Sequence, residues 1–197
     1  MFTGIVEKTG KLKKITKKNS KVYFTIEVKN FLKQTKIGDS IACDGVCLTV
    51  VEKTVNNFTV ELMPETLRRT KFIDARIGDE INLEKSLKVG GQLDGHFVLG
   101  HVDAVGVVFK VEADGEYTNL IIKVPTEFTK YLAYKGSATI NGVSLTIAEA
   151  KKNDLKVCLI SHTLELTNLK ELKRGDKVNL EVDVIARYLE KLLNKKV

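Results

Sequence analysis

The sequence predicts an all-β protein: two tandem six-stranded antiparallel β-barrels related by internal duplication, followed by a C-terminal α-helix. Three observations carry this. Gly45-Val46-Cys47-Leu48-Thr49-Val50 returns 97 residues later as Gly142-Val143-Ser144-Leu145-Thr146-Ile147. Apolar and polar residues alternate in short runs separated by turn residues, the pattern of half-buried antiparallel strands. Near the end of the chain the alternation gives way to a helical period.

The duplication is extensive. Laid without gaps, Ser40 to Glu84 matches Ser137 to Glu181 at 17 of 45 positions, among them Glu52/Glu149, Thr66/Thr163, Gly78/Gly175, Asp79/Asp176 and Asn82-Leu83-Glu84/Asn179-Leu180-Glu181. Two copies at this period are two whole domains rather than solenoid units. The copies also begin alike. Gly4-Ile5-Val6-Glu7 and Gly10 face Gly100-His101-Val102-Asp103 and Gly106 at an offset of 96, so the second copy gains one residue in between. The repeats run from about Met1 to Leu87 and from about Gly95 to Arg187. Lys88-Val89-Gly90-Gly91-Gln92 is a glycine-paired linker. The expected division is 1–94, 95–187 and a helix over 188–197 that begins near 185.

The elements follow in order. Val22, Phe24, Ile26 and Val28 share one strand face, with Tyr23, Thr25 and Glu27 on the other. Phe58, Val60 and Leu62 alternate likewise, as do Leu120, Ile122 and Val124. Breaks at Asn19-Ser20, Gly38-Asp39, Asn56-Asn57, Asp114-Gly115 and Gly175-Asp176 suit antiparallel hairpins. Six short strands per copy close into a barrel, which leaves no bare sheet edge. Brief helical turns are expected from Asn30 to Gln34, from Pro64 to Thr70 and from Pro125 to Tyr134, since proline suits a first helical position. In the tail, Ile185, Tyr188, Leu189, Leu192 and Leu193 form one stripe, with Arg187, Glu190, Lys191, Lys195 and Lys196 opposite. So short a helix is marginal alone in water, and its stripe must pack on something.

Composition bounds the function. The chain has 197 residues, 43% hydrophobic and 29% charged, values of a globular protein. No apolar run approaches the roughly 18 residues of a membrane span. Met1-Phe2-Thr3-Gly4 leads straight into repeat sequence, which predicts no leader ahead of the fold. Cys43, Cys47 and Cys158 are an odd count without metal-type spacing, as in a reducing cytoplasm. The net charge is +7, with lysines crowded between Lys8 and Lys21. Without interleaved aromatics or arginines these read as a solvated hairpin rather than a nucleic-acid surface.

Each copy is a control for the other. Residues common to both serve folding or a shared job, and polar differences point to divided labour. Ile5 faces His101, Cys47 faces Ser144, Asp44 faces Asn141, Glu65 faces His162 and Ser86 faces Asp183. Histidine titrates near neutral pH. Cys47 reads either as a small apolar filler or as a reactive thiol; Cys43 and Cys158, set among apolar residues, read as fillers. His101 is either a strand residue or a proton carrier, while His96 and His162 read as positional. Asp103 and Asp183 are turn or sheet-edge residues or site acids. No cluster has zinc-ligand spacing, and the glycines at 90, 91, 95 and 100 lack the ending of a phosphate loop.

Several blocks in order resemble the riboflavin synthase alpha-chain (lumazine-binding repeat) family: Met1-Phe2-Thr3-Gly4-Ile5-Val6-Glu7, the hexapeptide at Gly45, Met63-Pro64-Glu65-Thr66-Leu67, Gly95-His96-Phe97-Val98-Leu99-Gly100-His101-Val102-Asp103, Tyr134-Lys135-Gly136, the hexapeptide at Gly142 and Asn179-Leu180-Glu181-Val182-Asp183. The resemblance implies Greek-key barrels and a homotrimer held by C-terminal helices. It implies dismutation of two molecules of 6,7-dimethyl-8-ribityllumazine, two per site, with no metal or organic cofactor. One molecule gives a four-carbon unit to the other, yielding riboflavin and 5-amino-6-ribitylamino-uracil. It implies no nucleic-acid or membrane partner and leaves an association with lumazine synthase open. Carried over by position, one pocket comprises Phe2, Gly4-Ile5-Val6, Ser40, Cys47-Leu48-Thr49 and Glu61-Leu62-Met63-Pro64-Glu65-Thr66. The other comprises Gly100-His101-Val102, Lys135, Ser144-Leu145-Thr146 and Cys158-Leu159-Ile160-Ser161-His162-Thr163. The rings would lie against Val6, Leu62, Val102 and Ile160. Cys47, His101, Ser40 and Asp183 are the expected catalytic residues. Asn141 stands where some relatives carry Asp, and His162 where others carry Glu. The main rival is a non-catalytic lumazine- or flavin-binding protein of the same fold; a nucleic-acid-binding barrel ranks lower.

Overall fold

The computed structural model describes residues 1–19 and 21–193. Twelve strands form two closed barrels of identical topology. The first contains β1 (Lys8–Lys18), β2 (Lys21–Glu27), β3 (Ser40–Cys43), β4 (Val46–Lys53), β5 (Asn57–Leu62) and β6 (Glu80–Lys85). The second contains β7 (Ala104–Asp114), β8 (Tyr117–Lys123), β9 (Ser137–Ile140), β10 (Val143–Lys151), β11 (Asp154–Leu159) and β12 (Lys177–Val182). Around the first wall the order is β1-β2-β5-β4-β3-β6, and around the second β7-β8-β11-β10-β9-β12, every pair antiparallel. A hairpin, a three-strand meander laid back against it and a returning strand make the Greek key. Bulges fall at matching places, between Leu12 and Lys14 and between Val108 and Lys110, and they bend the long first strand of each barrel.

The alternation chooses the cores. Phe24, Ile26, Val60 and Leu62 fill barrel one, and Leu120, Ile122, Val157 and Leu159 fill barrel two. The lysines of β1 stay on the solvent side of its hairpin with β2. Helix α1 (Pro64–Arg69) follows β5 as expected, and the 3-10 turns Leu32–Gln34 and Thr126–Tyr131 lie within the expected turns. The latter is the longer of the pair and takes up the extra residue of copy two. Helix α2 (Ser161–Leu166) is the counterpart of α1; without a proline at its start it was not expected. Cys43 is buried as expected, but Cys158 is exposed, contrary to expectation. On β11, Leu155, Val157 and Leu159 turn inward, so Cys158 between them must turn out.

The tail helix α3 (Val184–Leu193) starts at Val184, one residue before the expected onset. The expected contributions of Lys195, Lys196 and Ser20 lie outside the described residues. No helix among the described residues is long and apolar enough to cross a membrane.

The barrels meet about a local twofold. Gly45 and Gly142 stand back to back; a Cβ on Gly45 would come 2.7 Å from the Gly142 nitrogen. Only glycine permits that approach, and both residues hold φ of 77°. Asn82 Nδ2 donates to the Asn141 carbonyl and Asn179 Nδ2 to the Asp44 carbonyl, each at 2.9 Å. Charge pairs break the symmetry, among them Lys177–Asp74 and Lys170–Glu80 between the barrels. Lys71 lies 2.8 Å from buried Asp44, where copy two has the neutral Asn168 and Asn141.

Candidate functional site

The short segments ahead of each barrel cross over. Phe2 and Val98 pair as an isolated antiparallel bridge, Phe2 N donating to the Val98 carbonyl at 2.7 Å. Beyond the crossing, the Gly4 carbonyl accepts from Ser144 N at 2.7 Å, in barrel two. The Gly100 carbonyl accepts from Cys47 N at 2.9 Å, in barrel one. Both glycines hold positive φ, and a Cβ on either would meet the Ser144 or Cys47 side chain at 2.6 Å. Val6 accordingly packs on the core of barrel two and Val102 on that of barrel one. The expected grouping of pocket residues is therefore corrected: Gly4-Ile5-Val6 lies with Ser144, and Gly100-His101-Val102 lies with Cys47. Each barrel lends its leading segment to the other, which no periodicity within one copy could reveal.

A buried carboxylate clamps each crossing. Glu84 accepts from Thr3 N at 2.7 Å, Thr3 Oγ1 at 2.8 Å and Gly4 N at 3.0 Å. Glu181 accepts from Leu99 N at 2.8 Å and Gly100 N at 3.0 Å. Burial pushes both carboxyls above the ordinary glutamate range, and these hydrogen bonds only partly offset it. The shared Asn-Leu-Glu motif marked these residues without disclosing their task.

The expected wall residues Ser40, Cys47, Thr49, Ser144 and Thr146 face outward on β3, β4 and β10. Ser40 sits opposite Thr49, and Ser137 opposite Thr146. Cys47 points to the same face as Thr49 and packs on the small cluster of Phe2, Ala42 and Val98. The register Val50↔Val60 brings the end of β5, and with it α1, alongside this wall. Leu48, Leu62, Leu145 and Leu159 belong to the cores, so from these positions a ligand would meet backbone rather than side chain. Met63 and Ile160 are exposed at the two strand ends, while Pro64, Glu65, Thr66, Ser161, His162 and Thr163 follow on α1 and α2.

The chemistry of the two walls differs. His96 Nδ1 lies 2.7 Å from Ser144 Oγ. Burial holds the His96 imidazole below its usual range despite the charge of Asp183, so it is neutral near pH 7 and able to accept the hydroxyl proton. Among the described residues no hydrogen bond reaches the Cys47 thiol. His101 is exposed, and its carbonyl accepts from Arg187 Nη2 at 3.1 Å. Asp183 caps α3, its Oδ1 accepting from Ile185 N at 2.9 Å. Glu61 accepts from the Tyr23 hydroxyl at 3.0 Å and pairs with Lys21 at 2.9 Å, and the Lys21 hydrogen bond draws its carboxyl below the ordinary range. Its counterpart Cys158 donates instead to Asn119 Oδ1 at 3.0 Å. Glu65 is held by Arg68 and Arg69 on α1. Lys135 adopts φ of 62° where its counterpart Gly38 adopts 94°. Asn141 is fully buried at the barrel interface, away from either wall. A cleft of about 910 Å³ also opens between the barrels, lined by Asp44, Lys71, Asp74 and Lys177, but it touches none of the expected site residues.

A family model for the lumazine binding domain matches residues 3–86 and 99–183. The chain belongs to the lumazine-binding family. Curated relatives agree. Riboflavin synthase from Photobacterium phosphoreum is 44% identical over 194 residues, covering 98% of this chain and 89% of that protein. Riboflavin synthase from Bacillus subtilis (strain 168) is 40% identical over 195 residues, covering 99% and 91%. Among solved structures, LumP complexed with 6,7-dimethyl-8-(1'-D-ribityl) lumazine superposes with a TM-score of 0.84 at 26% identity, covering 92% of this chain and 99% of that one. LumP complexed with riboflavin gives 0.86 with the same identity and coverage. Within this lumazine-binding fold, the matched segments bound the crossing glycines and both walls.

Proposed function

We propose that this chain is a riboflavin synthase. It converts two molecules of 6,7-dimethyl-8-ribityllumazine to riboflavin and 5-amino-6-ribitylamino-uracil by transfer of a four-carbon unit. The observation that carries the reading is the near-full-length match to curated riboflavin synthases at 40% and 44% identity, and the unlike residues Cys47 and Ser144 at matching places of the two copies fit a reaction between two unlike bound molecules. Two pockets can hold two copies of one substrate in a near-attack arrangement, which removes much of the entropic barrier to their reaction. Their unlike chemistry lets one molecule be donor and the other acceptor.

In barrel one, Cys47, with Ser40 and Thr49 beside it, assists addition at the electrophilic ring carbon of one lumazine. His101 takes a proton from the acidic methyl group of the other. Asp183 orders the start of α3 and its charge reaches His96. Lys135, Ser144 and Thr146 bind the second molecule. The assembly is a homotrimer. Its support is the stripe Ile185, Tyr188, Leu189, Leu192 and Leu193, every member more than half exposed. Burying each leucine is worth roughly 1.5–3 kcal/mol. The productive centre then lies between barrel one of one chain and barrel two of its neighbour, in the cytoplasm. Association with lumazine synthase is open to a pull-down with the purified pair.

The likeness to the LumP complexes supports one alternative, binding without turnover. Purified protein given the lumazine alone decides between them. Growing riboflavin fluorescence supports the synthase, and stoichiometric binding with no new product supports the carrier. Truncation after Arg187 tests the assembly: smaller folded particles that bind lumazine but turn it over poorly are expected, and a truncated monomer with full turnover would place the site within one chain.

A further inference from the structure

We propose that Arg187 is a positioning residue of the reaction centre: it fastens the Gly100-His101-Val102 segment to helix α3, so that the placing of His101 depends on how that helix is held. The inference rests on the role given to His101 above.

The two crossing segments are fastened almost identically. In each, a glutamate takes two backbone N–H groups, and the glycine carbonyl accepts from the opposite wall. In each, the third residue beyond that glycine donates its N–H to the returning strand, Glu7 to Leu83 and Asp103 to Leu180, both at 2.9 Å. These are the duties of folding, and they appear in both copies. One fastening appears only beside His101. Arg187 Nη2 donates to the His101 carbonyl at 3.1 Å and to Asp103 Oδ2 at 2.7 Å, with Glu181 at 4.0 Å. That Asp103 oxygen also accepts from Val182 N at 2.8 Å. In the first copy the equivalent acid, Glu7, accepts from Lys85 N at 2.7 Å and pairs with the Lys85 ammonium, and among the described residues no side chain donates to the Ile5 carbonyl. An arginine needed only to finish a barrel would have a twin.

The helix that carries Arg187 is itself anchored. Glu190, three residues on and on the same face, accepts from Lys130 and Tyr131 in the longer 3-10 turn of barrel two. Arg187 and Glu190 thus fix the polar face of α3 and turn its apolar stripe away from the barrel. Whatever covers the stripe steadies the helix, and through Arg187 the backbone of His101. Both bonds leave one nitrogen, Nη2, whose two N–H groups are fixed in the guanidinium plane; a lysine ammonium rotates freely and is not held to those two directions.

The test uses the full chain, with Arg187→Ala, Arg187→Lys and His101→Gln measured for melting, sedimentation and steady-state kinetics on the lumazine. Arg187→Ala is expected to keep its assembly while kcat falls about tenfold or more, with KM little changed and partial recovery on adding guanidinium. Combined with His101→Gln it should lose little further, because the two act at one point. If Arg187→Ala does not fold, Arg187→Lys is expected to fold and show the same kcat loss. Arg187→Lys or Arg187→Ala at the normal rate, beside an impaired His101→Gln, would overturn the latch. A normal rate for His101→Gln would instead overturn the role of His101, leaving the two failures distinct.

Discussion

Barrel one and barrel two present the same wall with different chemistry. Thr49 and Thr146, Ser40 and Ser137, Glu84 and Glu181, Gly4 and Gly100 occupy matching places. What differs is what stands at the centre: a thiol with no hydrogen-bond partner among the described residues, and a hydroxyl within hydrogen-bond distance of a half-buried histidine. Residues that match are those that set backbone crossings, clamps and turns. At the wall centres the differing residues are Cys47 against Ser144, and Ile5 against His101. The doubled fold keeps its architecture while the residues at the centres of its two walls diverge.

The largest expected effect breaks what the copies share. Phe2 is fully buried and pairs with Val98 where the segments cross. Phe2→Ala should cost about 3–5 kcal/mol in denaturant unfolding and abolish turnover, because both pockets depend on that crossing. A loss below about 1 kcal/mol would be that of a surface residue and would detach the crossing from stability.

The next effect separates the pockets. Cys47→Ser and His101→Gln should each lower turnover by about a hundredfold with unchanged melting, while Ile5→Ala, the counterpart of a change at His101, should lower it far less. Equal losses at Ile5 and His101 would mean that the two segments do the same work.

Much of this was legible beforehand. The register of the repeat placed Cys47 against Ser144 and His101 against Ile5, and alternation placed the cores. The exchange of segments was not legible, because Gly4 and Gly100 look the same whichever barrel they serve; only their closeness to Ser144 and Cys47 shows it. The apolar neighbours of Cys158 suggest a buried filler, but the alternation Leu155, Val157, Leu159 turns it outward. Arg187 fell on the polar side of the tail helix, where a charge usually means solvent. His96 gave no sign of its partner, which is 48 residues away in sequence.

A smaller effect concerns pH. Burial depresses the folded-state pKa of His96 below its usual 6.5. Its contribution to stability is therefore present above pH 6.5 and lost as pH falls through the depressed value, at up to about 1.4 kcal/mol per pH unit. His96→Gln should remove that part of the melting profile below pH 6.5. An unchanged profile would show that His96 is not held neutral. The clamps carry the opposite sign. Burial raises Glu84 and Glu181 above the usual 4.5, so their contribution is complete below that value and declines as pH rises through the raised one.

The smallest effect is at Lys135. Lys135→Gly gives copy two the residue that Gly38 supplies in copy one. It should change stability by less than about 1 kcal/mol and weaken lumazine binding. Unaltered binding would make Lys135 a solvent residue.

The central claim is that one reaction needs one pocket of each kind, taken from different chains. Its direct test mixes two inactive proteins during refolding, one carrying Cys47→Ser and His101→Gln, the other carrying Ser144→Ala. The account predicts that the mixture regains riboflavin formation, since neighbouring chains then pair an intact barrel one with an intact barrel two. A mixture that assembles normally yet stays inactive would contradict it.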